Sequence, residues 1–329
     1  DYYASRGLGD VYKRQLCDYI FLCDLKRVIV MNEFDLHMHS CYSGDGQFTP
    51  EELIGIAKER GLKTIALSDH DCISGVKEMI KFGKEADIEV IPAIECSTSI
   101  GYTDVHLLGY GIDLEDTYFQ NLLERTQVKS RNAFSTRCDK LRAKYGVEID
   151  EEAVLKEANG KNPWFVMCTH MFNDPRYQDI PDFKDYIPGG KRSDPAPVNF
   201  FWDKCQYGSD LFVYVPMPDF VESVQRIHEA GGLAIVAHPF NTFYKNDEMF
   251  KVLLDAGVDG IEAYSNYHTP EQNVYYEKLA KEHHLLITCG SDFHGEKKPS
   301  IQMGEYGLNK DGSLWLEQFK EKLKAAREY

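Results

Sequence analysis

The chain has 329 residues, of which 43% are apolar and 27% charged, with a formal net charge of −16. That length suits one large α/β domain with an insertion, or two domains, and the acidic balance argues against general binding of duplex nucleic acid, whose phosphates would repel it. Nine cysteines without a C-x-x-C pair argue against a disulfide framework or a thiolate zinc site, and no apolar run is long enough for a membrane span, so a cytoplasmic protein with no membrane association is expected.

Residues 1–30 stand apart from the rest. Gly9-Asp10-Val11-Tyr12-Lys13-Arg14-Gln15 resembles the translation of a transposon-type sequencing adapter, so 1–30 are read as a non-native leader and Met31 as the natural start. Phe34–His39 is the first expected strand. His37 and His39, at i and i+2, would point to one face there and could grip one metal ion. Asp45 follows in the loop. Thr49-Pro50-Glu51-Glu52 opens a helix, with Thr49 as N-cap, Pro50 at its first position and Glu52 completing a capping box. Strand two, Thr64–Leu67, closes on Ser68-Asp69-His70-Asp71, and a helix over about 74–86 follows. Strand three, Val90–Ile94, ends at Glu95, and Val105–Tyr110 is strand four. Strands and helices alternating through short links are the signature of a parallel α/β sheet or barrel.

From 113 to 215 the rhythm changes. A long polar helix is expected over Tyr118–Tyr145 and a short one over Asp150–Ala158. Then come Trp164, His170, a Pro- and Asp-rich stretch, and the aromatic run Phe200-Phe201-Trp202. A stretch this long is not one loop, so 113–215 is read as an inserted, mainly helical subdomain. The α/β rhythm resumes over 216–329. Strands Leu233–Ala237, Gly260–Ala263 and Leu285–Cys289 alternate with helices, and the first and last end at His238 and at Asp292-Phe293-His294. His228, His268, His283 and His284 lie on or near helices and are read as surface residues.

The strand ends collect His37, His39, His70, Glu95, His106, His238, Asp292 and His294, with Asp45 beside them. In a parallel barrel these ends share one face. Imidazole plus carboxylate without thiolate suits manganese, iron or zinc. Nine candidate ligands are too many for one ion and would serve two or three.

His37-Met38-His39-Ser40, Leu67-Ser68-Asp69-His70-Asp71, Ile94-Glu95, His106-Leu107-Leu108-Gly109, Ala237-His238-Pro239 and Ser291-Asp292-Phe293-His294-Gly295 together resemble the PHP family, named for polymerase and histidinol phosphatase. The resemblance covers roughly 34–111 and 220–295. It implies an irregular (β/α)₇ barrel of the amidohydrolase-like group, a multinuclear metal centre with manganese expected first, and phosphate-ester hydrolysis by attack of a metal-bound hydroxide. By motif, His37, His39, Glu95 and Asp292 look like ligands of a first ion. Glu95, His106 and His238 look like those of a second, and Asp45, His70 and His294 those of a third. Asp69 and Asp71 are expected to orient ligating imidazoles. Within the family the motifs and the insertion are similar to the stand-alone branch that includes 3′,5′-nucleoside bisphosphate phosphatases and a 5′-to-3′ exoribonuclease. Those relatives usually carry an Arg-Pro-His-like motif in the insertion, whereas Cys168-Thr169-His170 here has no arginine.

The expected partner is therefore a small phosphorylated substrate, a nucleotide or short RNA. Histidinol phosphate and a non-catalytic metal-binding scaffold are the competing readings. Arg125, Lys129, Arg131, Lys191 and Arg192 are candidate phosphate contacts, and His170 a candidate substrate contact. Trp164, Phe200, Phe201 and Trp202 form either a base-stacking group or the insertion's own core.

Overall fold

Seven short strands pair edge to edge in the order of the chain, β1 to β7. The structure, a computed structural model, describes residues 32–327 apart from 44, 160–161, 194–195 and 206–207. The leader expected over 1–30 lies outside the described residues. The barrel begins with β1 (Phe34–Met38), α1 (Pro50–Glu59), β2 (Thr64–Leu67), α2 (Val76–Ala86), β3 (Glu89–Ile100) and β4 (Thr103–Tyr110). The insertion holds α3 (Thr117–Gln120), α4 (Leu122–Tyr145), α5 (Glu151–Ala158), α6 (Pro163–Asn173) and α7 (Ala196–Lys204). The chain then returns through α8 (Phe220–Glu229), β5 (Leu233–Val236), α9 (Asp247–Asp255), β6 (Gly260–Ser265), α10 (Pro270–Glu282), β7 (Leu286–Gly290) and α11 (Ser313–Arg327). No described helix is long and apolar enough to cross a membrane.

Local chemistry sets these boundaries. The Thr49 hydroxyl accepts from the Glu52 amide, and the Glu52 carboxylate accepts from the Thr49 amide at 2.8 Å. Thr269 and Gln272 repeat this box at α10. Such a cap is worth about 1 kcal/mol. Strands β1, β2 and β5 are buried along their whole length, because helices cover one face and the barrel interior the other.

The sheet is nearly closed. β1 meets β7 through a Met38–Phe293 bridge, with the His39 amide on the Phe293 carbonyl at 2.9 Å and the Asp292 amide on the His37 carbonyl at 2.8 Å. One strand departs from the expected parallel order. β4 runs antiparallel to both β3 and β5. The cause is the connection: β3 continues past Glu95 to Ile100, and only Gly101 and Tyr102 separate it from β4. A two-residue link can join only antiparallel neighbours. Gly101 takes φ +61°, the left-handed conformation the turn requires.

In the insertion, Phe134, Leu141, Trp164, Phe172, Phe183 and Phe200 belong to an apolar cluster separate from the barrel's. The long helix expected over 118–145 is broken at Asn121 into α3 and α4. Trp164 stacks on Phe200 with centroids 5.8 Å apart, and both are buried. The side chain of Trp202 lies outside the described residues.

Candidate metal centre

Alternation along β1 sends Asp35, His37 and His39 to one face. Asp35 is a buried staple: its carboxylate accepts from the Ser291 amide at 2.9 Å, the Ser291 hydroxyl at 2.5 Å and the Gly304 amide at 2.7 Å. It thereby pins the end of β7 to β1. A Cβ on Gly290 would stand 2.2 Å from that of His37, so only glycine lets β7 approach. His37 and His39 are fully buried and bring their Nε2 atoms to 3.2 Å of each other.

Glu95, on β3, is the hub. Its Oε2 lies 3.3 Å from His37 Nε2, 3.2 Å from His39 Nε2 and 3.1 Å from His70 Nδ1. Its Oε1 lies 2.9 Å from both His106 Nδ1 and His238 Nε2. His106 sits in mid-strand, not at a strand end; it reaches the rim because antiparallel β4 descends from the hairpin tip and passes the rim at His106, opposite Ser97. Asp292 Oδ1 stands 2.9 Å from His39 Nε2 and 3.3 Å from His37 Nε2. Asp45 Oδ2 stands 3.1 Å from His294 Nε2 and 3.3 Å from His70 Nε2.

Three overlapping groups could each hold an ion: His37, His39, Glu95, Asp292; His39, Asp45, His70, His294; and His70, Glu95, His106. The first has the membership expected from the motifs. The second adds His39 to the expected trio. The third has His70 where His238 was expected, although His238 reaches the same Glu95 oxygen as His106. All nine sequence-derived candidates therefore meet on one rim.

The arrangement fits cations. Glu95 Oε2, Asp292 Oδ1 and His70 Nδ1 are buried without a hydrogen-bond partner, although each lies close to a potential ligand atom. Two imidazole nitrogens that face each other across carboxylate oxygens cannot all be satisfied by hydrogen bonds, whereas a divalent ion satisfies them together. Burial, with His294 and His70 alongside, pushes the His39 ring down to about 4, which keeps it neutral with a lone pair to give. Burial alone would raise Glu95, but His70, His37 and His106 around it hold it well below the usual carboxylate range. His238 takes φ 25°, a strained conformation costing about 1–3 kcal/mol that is usual at functional sites.

Several contributors are not legible in the sequence motifs. Glu262 on β6 is fully buried, accepts from the His238 amide at 2.8 Å and meets His37 Nδ1 at 3.0 Å. It fixes the tautomer that aims Nε2 at the centre. Its signal was present, an acid inside the apolar run Gly260–Ala263. Lys298 donates to Asp292 Oδ2 at 2.9 Å and to the Tyr267 hydroxyl at 2.7 Å, and Tyr267 in turn donates to that same oxygen. Ser43 Oγ bridges His39 Nδ1 at 3.1 Å and Asp45 at 2.5 Å. Glu262→Gln should weaken metal binding about 10–100-fold with the fold intact, read by metal titration. Unchanged affinity would refute the orienting role.

Asp69 and Asp71 are spent elsewhere than on imidazoles. Asp69 accepts from the Ser40 amide and hydroxyl, both at 2.6 Å, and burial pushes it up to about 7. Asp71 accepts from the Ser97 amide at 2.8 Å. They fasten the loops that carry the histidines. The predicted substrate contacts are not brought to the rim by any contact among the described residues. Arg125 lies over the Tyr118 ring at 5.0 Å, Arg192 pairs with Asp203 at 2.5 Å, and His170 pairs with Glu157 at 3.1 Å. Arg131 and Lys191 are exposed and Lys129 is half-buried. His268, expected on the surface, is buried between the Ala263 carbonyl and Asn273, because the residues before α10 turn inward.

Comparison with known proteins agrees with this geometry. Residues 35–171 match the PHP domain. The chain is 30% identical to a 5′-3′ exoribonuclease of Haemophilus influenzae over 80% of its length and 90% of that protein. It is 28% identical to a 3′,5′-nucleoside bisphosphate phosphatase of Chromobacterium violaceum, covering 83% and 91% of the two chains. In fold it is similar to a solved amidohydrolase from Chromobacterium violaceum, with a TM-score of 0.66, 23% identity, and coverage of 89% of this chain and 96% of that one.

Proposed function

Since the chain belongs to the PHP family of metal-dependent phosphoesterases, we propose that it hydrolyses the 3′-phosphate ester of a 5′-phosphorylated nucleotide, in a 3′,5′-nucleoside bisphosphate or at the end of a short RNA. On this reading one bond, O3′–P, serves both substrates. Breaking O3′–P in a bisphosphate frees inorganic phosphate. Breaking it in RNA frees the terminal nucleotide and leaves a 5′-phosphate on the next. In both, a water oxygen bonds to phosphorus and O3′ leaves with a proton.

The observation that carries this reading is the three ligand groups sharing Glu95, His39 and His70. We assign His37, His39, Glu95, Asp292, Asp45, His70, His294, His106 and His238 to two or three divalent ions, manganese first, with iron or zinc as alternatives. Bound there, the ions supply Lewis acidity towards the phosphate and lower the pKa of water. The chain's own part is to hold the ligand atoms converged, with Glu262, Ser43 and the Lys298–Tyr267 pair fixing His37, His39 and Asp292. Lys298, half-buried at the rim, adds a positive charge where phosphate oxygens would arrive.

The test is release of phosphate or nucleotide by manganese-loaded protein from adenosine 3′,5′-bisphosphate, 5′-phosphorylated RNA and histidinol phosphate. Turnover of the first two is expected. Preference for histidinol phosphate would move the protein to that branch of the family, and no release from any substrate would favour a metal-binding scaffold.

A further inference from the structure

The aromatic side chains of the insertion hold a charge. Arg137, on α4, is only 8% exposed. Its guanidinium carbon stands 5.2 Å from the centroid of the Trp164 ring and 5.3 Å from that of Phe201. Trp164 is the second residue of α6, so the cation lies against the first turn of that helix. Among the described residues the guanidinium has no ion pair and no hydrogen bond, and its Nε is buried without a partner. None of its contacts is a ligand of the rim.

An unpaired charge held this far from water is strongly unfavourable, and the internal remedies are closed. Arginine does not give up its proton inside a protein. The acids at neighbouring positions are taken: Asp139 pairs with Arg142 at 2.8 Å and Asp203 with Arg192 at 2.5 Å. Cys138, Cys168 and Cys205 share the insertion's apolar cluster, but burial keeps these thiols protonated, pushing Cys205 up to about 11, Cys138 to about 12 and Cys168 well above its ordinary value. The two rings offset part of the charge but supply no lone-pair acceptor to the N–H donors. What remains is an anion from solution.

Helix α6 points the same way. Its first turn carries no acid, and its N-cap is the neutral Asn162, whose side chain accepts from the Trp164 amide at 3.0 Å. The positive end of the helix is therefore uncompensated beside the guanidinium. We propose that Arg137 and the first turn of α6 form an oxyanion site within the insertion that takes a phosphate group. A guanidinium fork meets phosphate oxygens in a two-pronged pair, which satisfies the charge and the N–H donors together. A guanidinium and a helix end acting jointly favour a phosphate dianion over a carboxylate. The group arrives either as inorganic phosphate or on a nucleotide, and the site stands whether or not the metal centre hydrolyses phosphate esters.

The test is calorimetric titration of the full chain with inorganic phosphate in chelator, where no ion at the rim competes for it. Wild type, Arg137→Met and Arg137→Lys are compared, and adenosine 5′-monophosphate and acetate then replace phosphate. The wild type should bind phosphate saturably. Arg137→Met should weaken that binding roughly tenfold or more, and Arg137→Lys should fall between the two, because it keeps the charge without the fork. Affinity for adenosine 5′-monophosphate no greater than for phosphate assigns the site to the free ion, and greater affinity assigns it to a nucleotide's phosphate. Thermal melts give a second reading: phosphate should raise the wild type's midpoint further than the variant's, which shows only the general effect of an excluded salt. No saturable binding by the wild type overturns the proposal, as does acetate bound as tightly as phosphate. So does an affinity left unchanged in Arg137→Met, which would put the phosphate on the protonated histidines of the stripped rim. Should Arg137→Met fail to fold, an Arg137→Lys variant that binds phosphate as tightly as the wild type overturns the fork.

Discussion

Glu95→Gln is expected to cost the enzyme on the order of 10³-fold or more in kcat/KM, about 4 kcal/mol of transition-state stabilisation, with far-UV circular dichroism unchanged. One carboxylate faces five imidazoles, with Oε2 towards His37, His39 and His70 and Oε1 towards His106 and His238. An amide has the same shape but no negative charge, and its nitrogen cannot accept. Either amide orientation therefore turns an NH₂ group towards ring nitrogens needed for metal. Elemental analysis should find one ion or none per chain in place of two or three. The fold has reason to survive. Asp292 and Glu262 remain beside His37 as counter-charges when Glu95 is neutral. The variant should therefore still fold in chelator but melt below the wild type, because the protonated His37 and His70 rings lose a counter-charge. Full metal content with full activity in the variant would rule out a shared ligand at this position.

What could be read from the chain was whatever depends on near neighbours. His37-x-His39 and Asp292-x-His294 show their chemistry through a two-residue period, and Thr49 to Glu52 and Thr269 to Gln272 show theirs through a capping box. What could not be read depends on distant partners. Glu262 looks like any acid in a strand until it meets His37, 225 residues away in sequence. Lys298 looks like a loop lysine until Asp292 and Tyr267 close around it. The direction of β4 was hidden because Ser97, Thr98 and Ser99 are polar, so β3 seemed to end at Glu95. In fact the hairpin rises above the rim, where Thr98 and Ser99 are buried and find partners, the Thr98 hydroxyl on the Val105 carbonyl and the Ser99 amide on the Pro218 carbonyl. Helix α6 was hidden for the opposite reason. Trp164, Phe165, Val166, Met167 and Cys168 are apolar in succession, and such a run carries no period to separate helix from strand.

Stripping the ions should abolish hydrolysis, lower the melting temperature, and widen the gap between loaded and stripped protein as pH rises. Burial would push the His70 ring down, but Glu95 and Asp45 beside it raise it to about 10, and His37 is raised well above its ordinary value by Glu262, Glu95 and Asp292 against the same burial. Without ions these two rings carry protons at neutral pH and act as the counter-charges of the carboxylates. The sign follows. For a histidine with a raised folded pKa, the stabilising contribution is full below about 6.5, its value in the unfolded chain, and is lost as pH climbs through about 10 for His70. An ion must displace those protons, so its affinity increases with pH, by up to about tenfold per unit for each proton released. Loaded to a hundred times Kd, one ion adds about 2.7 kcal/mol to the folded state, several °C for a chain of this size. Thermal melts in EDTA and in graded manganese at pH 6, 7 and 8 give the gap directly. Calorimetry in buffers of different ionisation enthalpy counts the protons. A melting temperature indifferent to manganese would remove the metal centre from the account of stability. An affinity independent of pH would mean that His37 and His70 already present free lone pairs before any ion arrives.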